Sequence, residues 1–273
     1  MNALIIIGIS LVLFGLGYRF YGRWIAHRLF EVQENATVPS KQFEDGHDFV
    51  PTKPSIVFGH HFTSIAGTGP IVGPAIGIIW GWVPAFIWIV FGSILMGAVH
   101  DLSTLIISLR HQGRSIADLT QDLLNKRVRL LFLCLIFVAL LIVIAIFGLV
   151  ISVIFARFPE SVLAVWLEIP IAIFLGRAVY KRGLSLTKST FIAVSAMYIT
   201  VLLGHFFPIT LSPLFGLPPT GLWTLLLLAY AFIASCLPVT TLLQPRDYIN
   251  AWQLYIALGI IILGILVTGF SGQ

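Results

Sequence analysis

Two adjacent histidines, His60 and His61, open a run that continues through Ser64, Gly67, Thr68, Gly69, Pro70, Gly73 and Pro74 inside an otherwise apolar stretch. Imidazoles titrate near neutral pH, so the pair suits a proton relay or a gate. Glycines let a ligand or another helix approach the backbone, and prolines remove amide donors and interrupt the helical ladder. Unpaired backbone groups are costly in hydrocarbon, so such a break is tolerated only inside protein or along a cavity. Freed amides at the start of a half-helix attract an anion, and freed carbonyls suit a cation. Ser64, Gly67, Thr68, Gly69 and Pro70 are therefore the substrate-binding candidates of this run. Close helix packing through small residues is the competing reading, and for the histidines it is hydrogen bonding to a neighbour. The run is not a phosphate loop, because it lacks Gly-Lys-Ser/Thr and follows no strand.

A second run, Ala234-Ser-Cys-Leu-Pro-Val-Thr-Thr241, again combines a proline with hydroxyl side chains, making Ser235 and Pro238 further binding candidates. Gln244, Arg246 and Asp247 follow it and read either as an intracellular gate or as an anchor for the helix end. Ionisable residues within membrane segments are functional candidates by default. Asp101, beside His100, could carry a coupling proton or sit in a salt bridge, and Glu168 could titrate or serve structure. Cys134 and Cys236 lie far apart and read as small buried hydrophobes. No set of ligands has metal spacing, no cofactor is expected, and Ser, His and Asp form no recognised catalytic pattern, so an enzyme is not expected.

The elements that must position these residues are membrane helices. Of 273 residues 58% are hydrophobic and only 10% charged, where soluble domains run nearer a quarter. About eight apolar segments approach the roughly 20 residues that cross a bilayer, at 3–21, 55–79, 83–109, 128–155, 162–175, 190–207, 222–243 and 251–270. The fifth is expected to be short and interrupted at Glu168 and Pro170, and the seventh broken near Pro238. The first segment has no preceding Lys or Arg and no small-residue cleavage site, so it reads as a span, not a secretory signal. The net charge of +5 comes from short basic clusters between spans, not from a basic face for nucleic acid. With the N-terminus outside, all 16 Lys and Arg except Arg157 fall on the inner side, as the positive-inside bias requires.

Two broken helices running in opposite directions, at matching places in two halves, point to a transporter site. The residues Val50-Pro-Thr-Lys-Pro54, Val57-Phe-Gly-His-His-Phe62, Ile65-Ala-Gly-Thr-Gly-Pro-Ile-Val-Gly-Pro74, Gly97-Ala-Val-His-Asp101, Gly113-Arg-Ser115, Leu237-Pro238 and Gln244-Pro-Arg-Asp-Tyr248 resemble the carbon starvation protein A family over roughly residues 18–270. That family resembles the amino acid–polyamine–organocation superfamily. The resemblance implies an all-α polytopic membrane protein with an incomplete LeuT-like inverted repeat. One membrane domain over 1–273 would comprise an extra N-terminal helix at 1–30, a cytoplasmic loop at 31–54, a first repeat at 55–207 and a partial second repeat at 221–273. It further implies a bacterial inner-membrane protein that takes up peptides or pyruvate-like carboxylates during carbon starvation, coupled to protons. His60, His61 and Asp101 would handle the proton. Substrate would sit between the Gly67–Gly69 and Ser235–Pro238 breaks. Only two of the five helices of a second repeat fall within this sequence, which points to a missing C-terminal half or a homo-oligomer. The alternative is a channel-like or non-transporting subunit that needs a partner chain.

Overall fold

The computed structural model describes residues 3–271 apart from 34 and 47, with the side chains of all these except 3, 68, 71, 181, 270 and 271. The described residues are helical, and their one β-type pairing is the isolated Leu214–Leu217 bridge. The protein is an all-α polytopic membrane protein. Among the described residues six helices are long and apolar enough to span: α1 (Leu4–Leu29), α4 (Trp82–Arg110), α6 (Lys126–Arg157), α7 (Glu160–Tyr180), α8 (Leu186–Phe206) and α10 (Leu243–Gly269). The shortest have 21 residues, which at about 1.5 Å per residue covers a hydrocarbon core of about 30 Å. Between them lie α2 (Pro54–Ile65), α3 (Thr68–Gly77), the surface helix α5 (Ile116–Leu123) and the shorter apolar α9 (Pro219–Ser235). Pro54 and Pro219 stand in the first turns of α2 and α9, where the missing amide would be unpaired anyway.

The chain divides into two compact units. The first contains Met1–Pro51, Thr68–Leu135 and Leu258–Gln273, and the second contains Thr52–Gly67 and Ile136–Ala257. The division falls at the Gly67/Thr68 break. In the first unit, α1 and α4 are partly wound as π-helix, over Gly17–Gly22, Ile25–Leu29 and Trp88–Gly97. Gly17 meets Ile94 there, with room for a Cβ only 3.0 Å from its side chain. In the second unit the core is built from Ile56, Ala172, Leu175, Ala193, Met197, Ala234, Leu242, Tyr248 and Ile249. Phe155, Val162 and Trp223 form a second cluster. Helices α7 and α8 touch backbone to backbone: a Cβ on Gly204 would overlap the Glu160 carbonyl oxygen.

Several expectations are corrected. The fifth segment is one continuous helix through Glu168 and Pro170. A single missing amide leaves the rest of the ladder intact, and a buried glutamate with partners does not stop a helix. In the second segment the break is at Ala66 and Gly67, while Gly69 and Pro70 lie in the first turn of α3, where proline is tolerated. The seventh segment is broken near Pro238 as expected, its helix ending at Ser235, but the stretch beyond the break to Leu242 is turn and not helix. Pro238 restricts Leu237 to extended backbone, and a turn leads to α10, which starts at Leu243 and not near Ala251. Cys134 and Cys236 are exposed, not buried. Trp80-Gly-Trp82 is the expected tight turn, with Gly81 at φ +112°.

The capped start expected at Ser115-Ile-Ala-Asp118 is present. The Asp118 amide donates to Ser115 Oγ at 3.2 Å, and that hydroxyl donates to Asp118 Oδ2 at 2.9 Å. Arg129 reaches Asp118 at 2.9 Å and Arg114 reaches Asp122 at 2.6 Å. The Ser115 hydroxyl first, and then Arg129, hold the Asp118 carboxyl below the usual carboxylate range. A depressed folded-state value means the contribution is full above the unfolded value, near about 3.9, and is lost as pH falls through the folded value. Amide protection across 116–123, taken against the intrinsic exchange rate at each pH, is expected to fall only in that acidic window. Asp118→Asn should show the same protection on both sides of it, and unchanged acid sensitivity in that variant would refute the assignment.

Candidate functional site

The first turns of α10 form a polar hub in the second unit, with successive side chains turned to different helices. Arg246 Nε donates to Glu168 Oε1 at 2.9 Å, and Asn250 Nδ2 donates to the same oxygen at 2.8 Å. Glu168 is only 7% exposed, and a charge so buried requires such partners. Residues 246 and 250 are one helical turn apart and so share a face. Arg246 Nη1 also donates to Tyr230 Oη of α9 at 3.3 Å. Gln244 Oε1 accepts from Tyr180 Oη at 2.9 Å. The Tyr248 hydroxyl lies 3.1 Å from Thr190 Oγ1 and accepts its bond.

Asp247 faces α2. His60 Nδ1 stands 2.8 Å from Asp247 Oδ2, close enough for an ion pair when the ring is protonated but out of line for a hydrogen bond. One turn on, Thr63 Oγ1 donates to the Asp247 carbonyl at 2.8 Å. Gly59 admits this packing, since a Cβ there would lie 3.0 Å from the Tyr248 ring. Gly176 does the same at the end of α7, where a Cβ would fall 2.9 Å from Pro245.

Beside the hub is a cavity of about 290 Å³ between α6, α7, α9 and Arg246. Phe147, Trp166 and Tyr230 provide its aromatic wall, and Arg246 is its one charged lining residue. The Gly67 break touches this wall, because a Cβ on Gly67 would lie 3.2 Å from Phe147.

The structure thus brings together His60 and Asp247, and joins Gln244, Arg246 and Asp247 to three different helices. Arg246 and Asp247 do not pair with each other through their side chains but each with a partner elsewhere. Ser64 Oγ and Ser235 Oγ are exposed and donate to carbonyls of their own helices, His60 and Phe232. Pro238 and His61 are exposed. Gly69, Pro70 and Asp101 belong to the first unit, where Asp101 Oδ1 lies 3.4 Å from His100 Nδ1. The Thr68 side chain lies outside the described residues. Tyr230, Asn250, Tyr180, Thr63 and Trp166 were not foreseen. Of these, Asn250 carried a signal in its four-residue spacing from Arg246.

The family model for the carbon starvation protein CstA matches residues 2–270. The chain belongs to the carbon starvation protein CstA family. It is 34% identical to the peptide transporter CstA of Campylobacter jejuni, covering 96% of this chain and 37% of that protein. It is 32% identical to the peptide transporter CstA of Escherichia coli K12, covering 98% and 38%. To the pyruvate/proton symporter BtsT of the same bacterium it is 30% identical, again covering 98% and 38%. The chain therefore spans well under half the length of these relatives. No solved structure matches it. These relatives are named as transporters.

Proposed function

We propose that this chain is the membrane part of a proton-coupled secondary transporter for short peptides or small carboxylates such as pyruvate. It would act in a bacterial inner membrane with its N-terminus outside. The observation that supports this most is the buried Glu168–Arg246–Asn250 cluster, since an ionisable group inside a membrane protein marks a substrate or proton path. His60 and Asp247 form the proton-handling pair, with Asp101 and His61 as further proton candidates. Gln244, Arg246 and Asp247 latch α10 to α7 and α2 as a gate. In the second unit Ser64 and Gly67 at one break, and Ser235 and Pro238 at the other, are the substrate-path residues; Thr68, Gly69 and Pro70, at the start of α3, are further binding candidates in the first unit.

Proteoliposomes holding the chain, acid outside, are expected to accumulate labelled pyruvate or dialanine saturably, and a protonophore should abolish the accumulation. Uptake unaffected by the protonophore would reject coupling. Flux that never saturates would favour the channel-like reading, and no flux of either compound would reject transport by this chain. His60→Gln is expected to slow gradient-driven uptake about tenfold, because an amide cannot take up the proton that would pair the ring with Asp247. Downhill exchange of substrate should change much less.

A further inference from the structure

We infer that the cavity beside Arg246 is a carboxylate site, in which an incoming carboxylate takes the guanidinium from Glu168 while Glu168 takes a proton. This rests on the transport reading and names the substrate group that the site reads. The cavity's volume of about 290 Å³ lies at the small end of ligand sites, which run from about 300 Å³. Its walls are apolar and aromatic, with Ile144, Phe147, Trp166 and Ala231 among them, and its one charge is positive. Such a lining excludes cations and favours a small organic anion.

The guanidinium is only partly committed. Nε holds Glu168 and Nη1 holds Tyr230 at the long distance of 3.3 Å. Among the described residues no hydrogen bond engages Nη2. Arg246 is 29% exposed in its side chain and Glu168 9%, so the cation lines the cavity while its carboxylate partner sits behind it. A planar guanidinium binds a carboxylate in a two-pronged fork. A substrate carboxylate arriving from the cavity meets Nη1 and Nη2, with the Tyr230 hydroxyl beside it as a further donor.

Two carboxylates cannot both stay charged against one guanidinium in a buried place without cost. Glu168 therefore leaves Arg246 as the acid, with its proton drawn from water. In that form its new O–H donates, and the acceptor oxygen of Asn250 lies on the side chain already in contact with it. One carboxylate and one proton load together, and the net charge of the site is unchanged. The other charged groups nearby are Asp247 on α10 and His60 of α2, which pair with each other. Neither lines the cavity, and their part is in passing protons, not in holding the carboxylate.

The test is equilibrium binding of labelled pyruvate and, in a separate arm, labelled dialanine to the purified full chain in nanodiscs. Binding is expected to saturate, to be displaced by the other carboxylate, to ignore pyruvamide, and to tighten as pH falls. Arg246→Gln should weaken it about tenfold or more. Ala231→Phe leaves the ion pair in place but fills the cavity, and should do the same. Glu168→Gln should keep or improve binding and flatten its pH dependence. Wild-type affinity in both Arg246→Gln and Ala231→Phe overturns the site, as does equal binding of pyruvamide or no binding by the wild-type chain. Preference for dialanine over pyruvate would assign the carboxylate to a peptide terminus, and the reverse to a free acid. Gradient-driven uptake that persists in Arg246→Gln sinks this site and leaves transport standing. Arg246-dependent binding without uptake does the opposite.

Discussion

Glu168→Ala is expected to lower the stability of the folded chain by about 3 kcal/mol or more, because it leaves Arg246 charged and half-buried without its carboxylate. The loss has two parts. Arg246 keeps only the long Tyr230 bond, and Asn250 loses the acceptor that it shares with Arg246. Removing both partners costs less than removing one, because no uncompensated charge then stays in the protein. The double variant Glu168→Ala/Arg246→Ala should therefore fall well short of the sum of the two single losses. A double-mutant cycle measured by denaturant unfolding in mixed micelles gives the coupling directly. Additivity within about 0.5 kcal/mol would show that the pair is not energetically coupled and would remove the physical basis for the carboxylate exchange. Glu168→Gln, which keeps an acceptor for both donors, is expected to cost less than Glu168→Ala.

How much of this hub could be read beforehand depends on which helix each residue was assigned to. The spans themselves were legible, since about 20 apolar residues in a row have one stable form in a bilayer. The break in the second segment was legible from its glycines and prolines, and it lies at Ala66 and Gly67, the near edge of the expected Gly67–Gly69 stretch. The structure puts Pro70 in the first turn of a new helix, where it signals a start and not an interruption. Glu168 was visible as an anomaly, but its partner lies 78 residues away, and no local pattern encodes such a distance. Placing the start of the last helix near Ala251 put Gln244, Arg246 and Asp247 in a connection. From there the shared face of Arg246 and Asn250 could not be seen. Pro245, a residue at home in a first turn, was the signal that the helix begins at Leu243. The pairing of His60 with Asp247 was likewise hidden, because the two stand on helices far apart in sequence.

Gly204→Ala should destabilise the chain by about 3 kcal/mol or more, although alanine is by propensity about 1 kcal/mol better than glycine inside a helix. The sign reverses because of one atom. A methyl carbon at position 204 would overlap the Glu160 carbonyl oxygen and stand 3.3 Å from its carbon. That obstacle is backbone, so it cannot swing aside as a side-chain tip would. Helix α8 must move away from the start of α7, and the separation is felt where the same helices meet the core through Ala172, Leu175, Ala193 and Met197. Small residues at helix crossings are what allow such approach in membranes, where no hydrophobic force drives helices together. Gly259→Ala provides the contrast, because nothing lies within 4 Å of its added Cβ. That variant should be neutral or more stable by up to about 1 kcal/mol. Unfolding midpoints of the two variants against the unmodified chain decide the matter. If Gly204→Ala is as stable as Gly259→Ala, α7 and α8 do not meet backbone to backbone at this point, and the frame that holds Glu168 against Arg246 is looser than the structure has it.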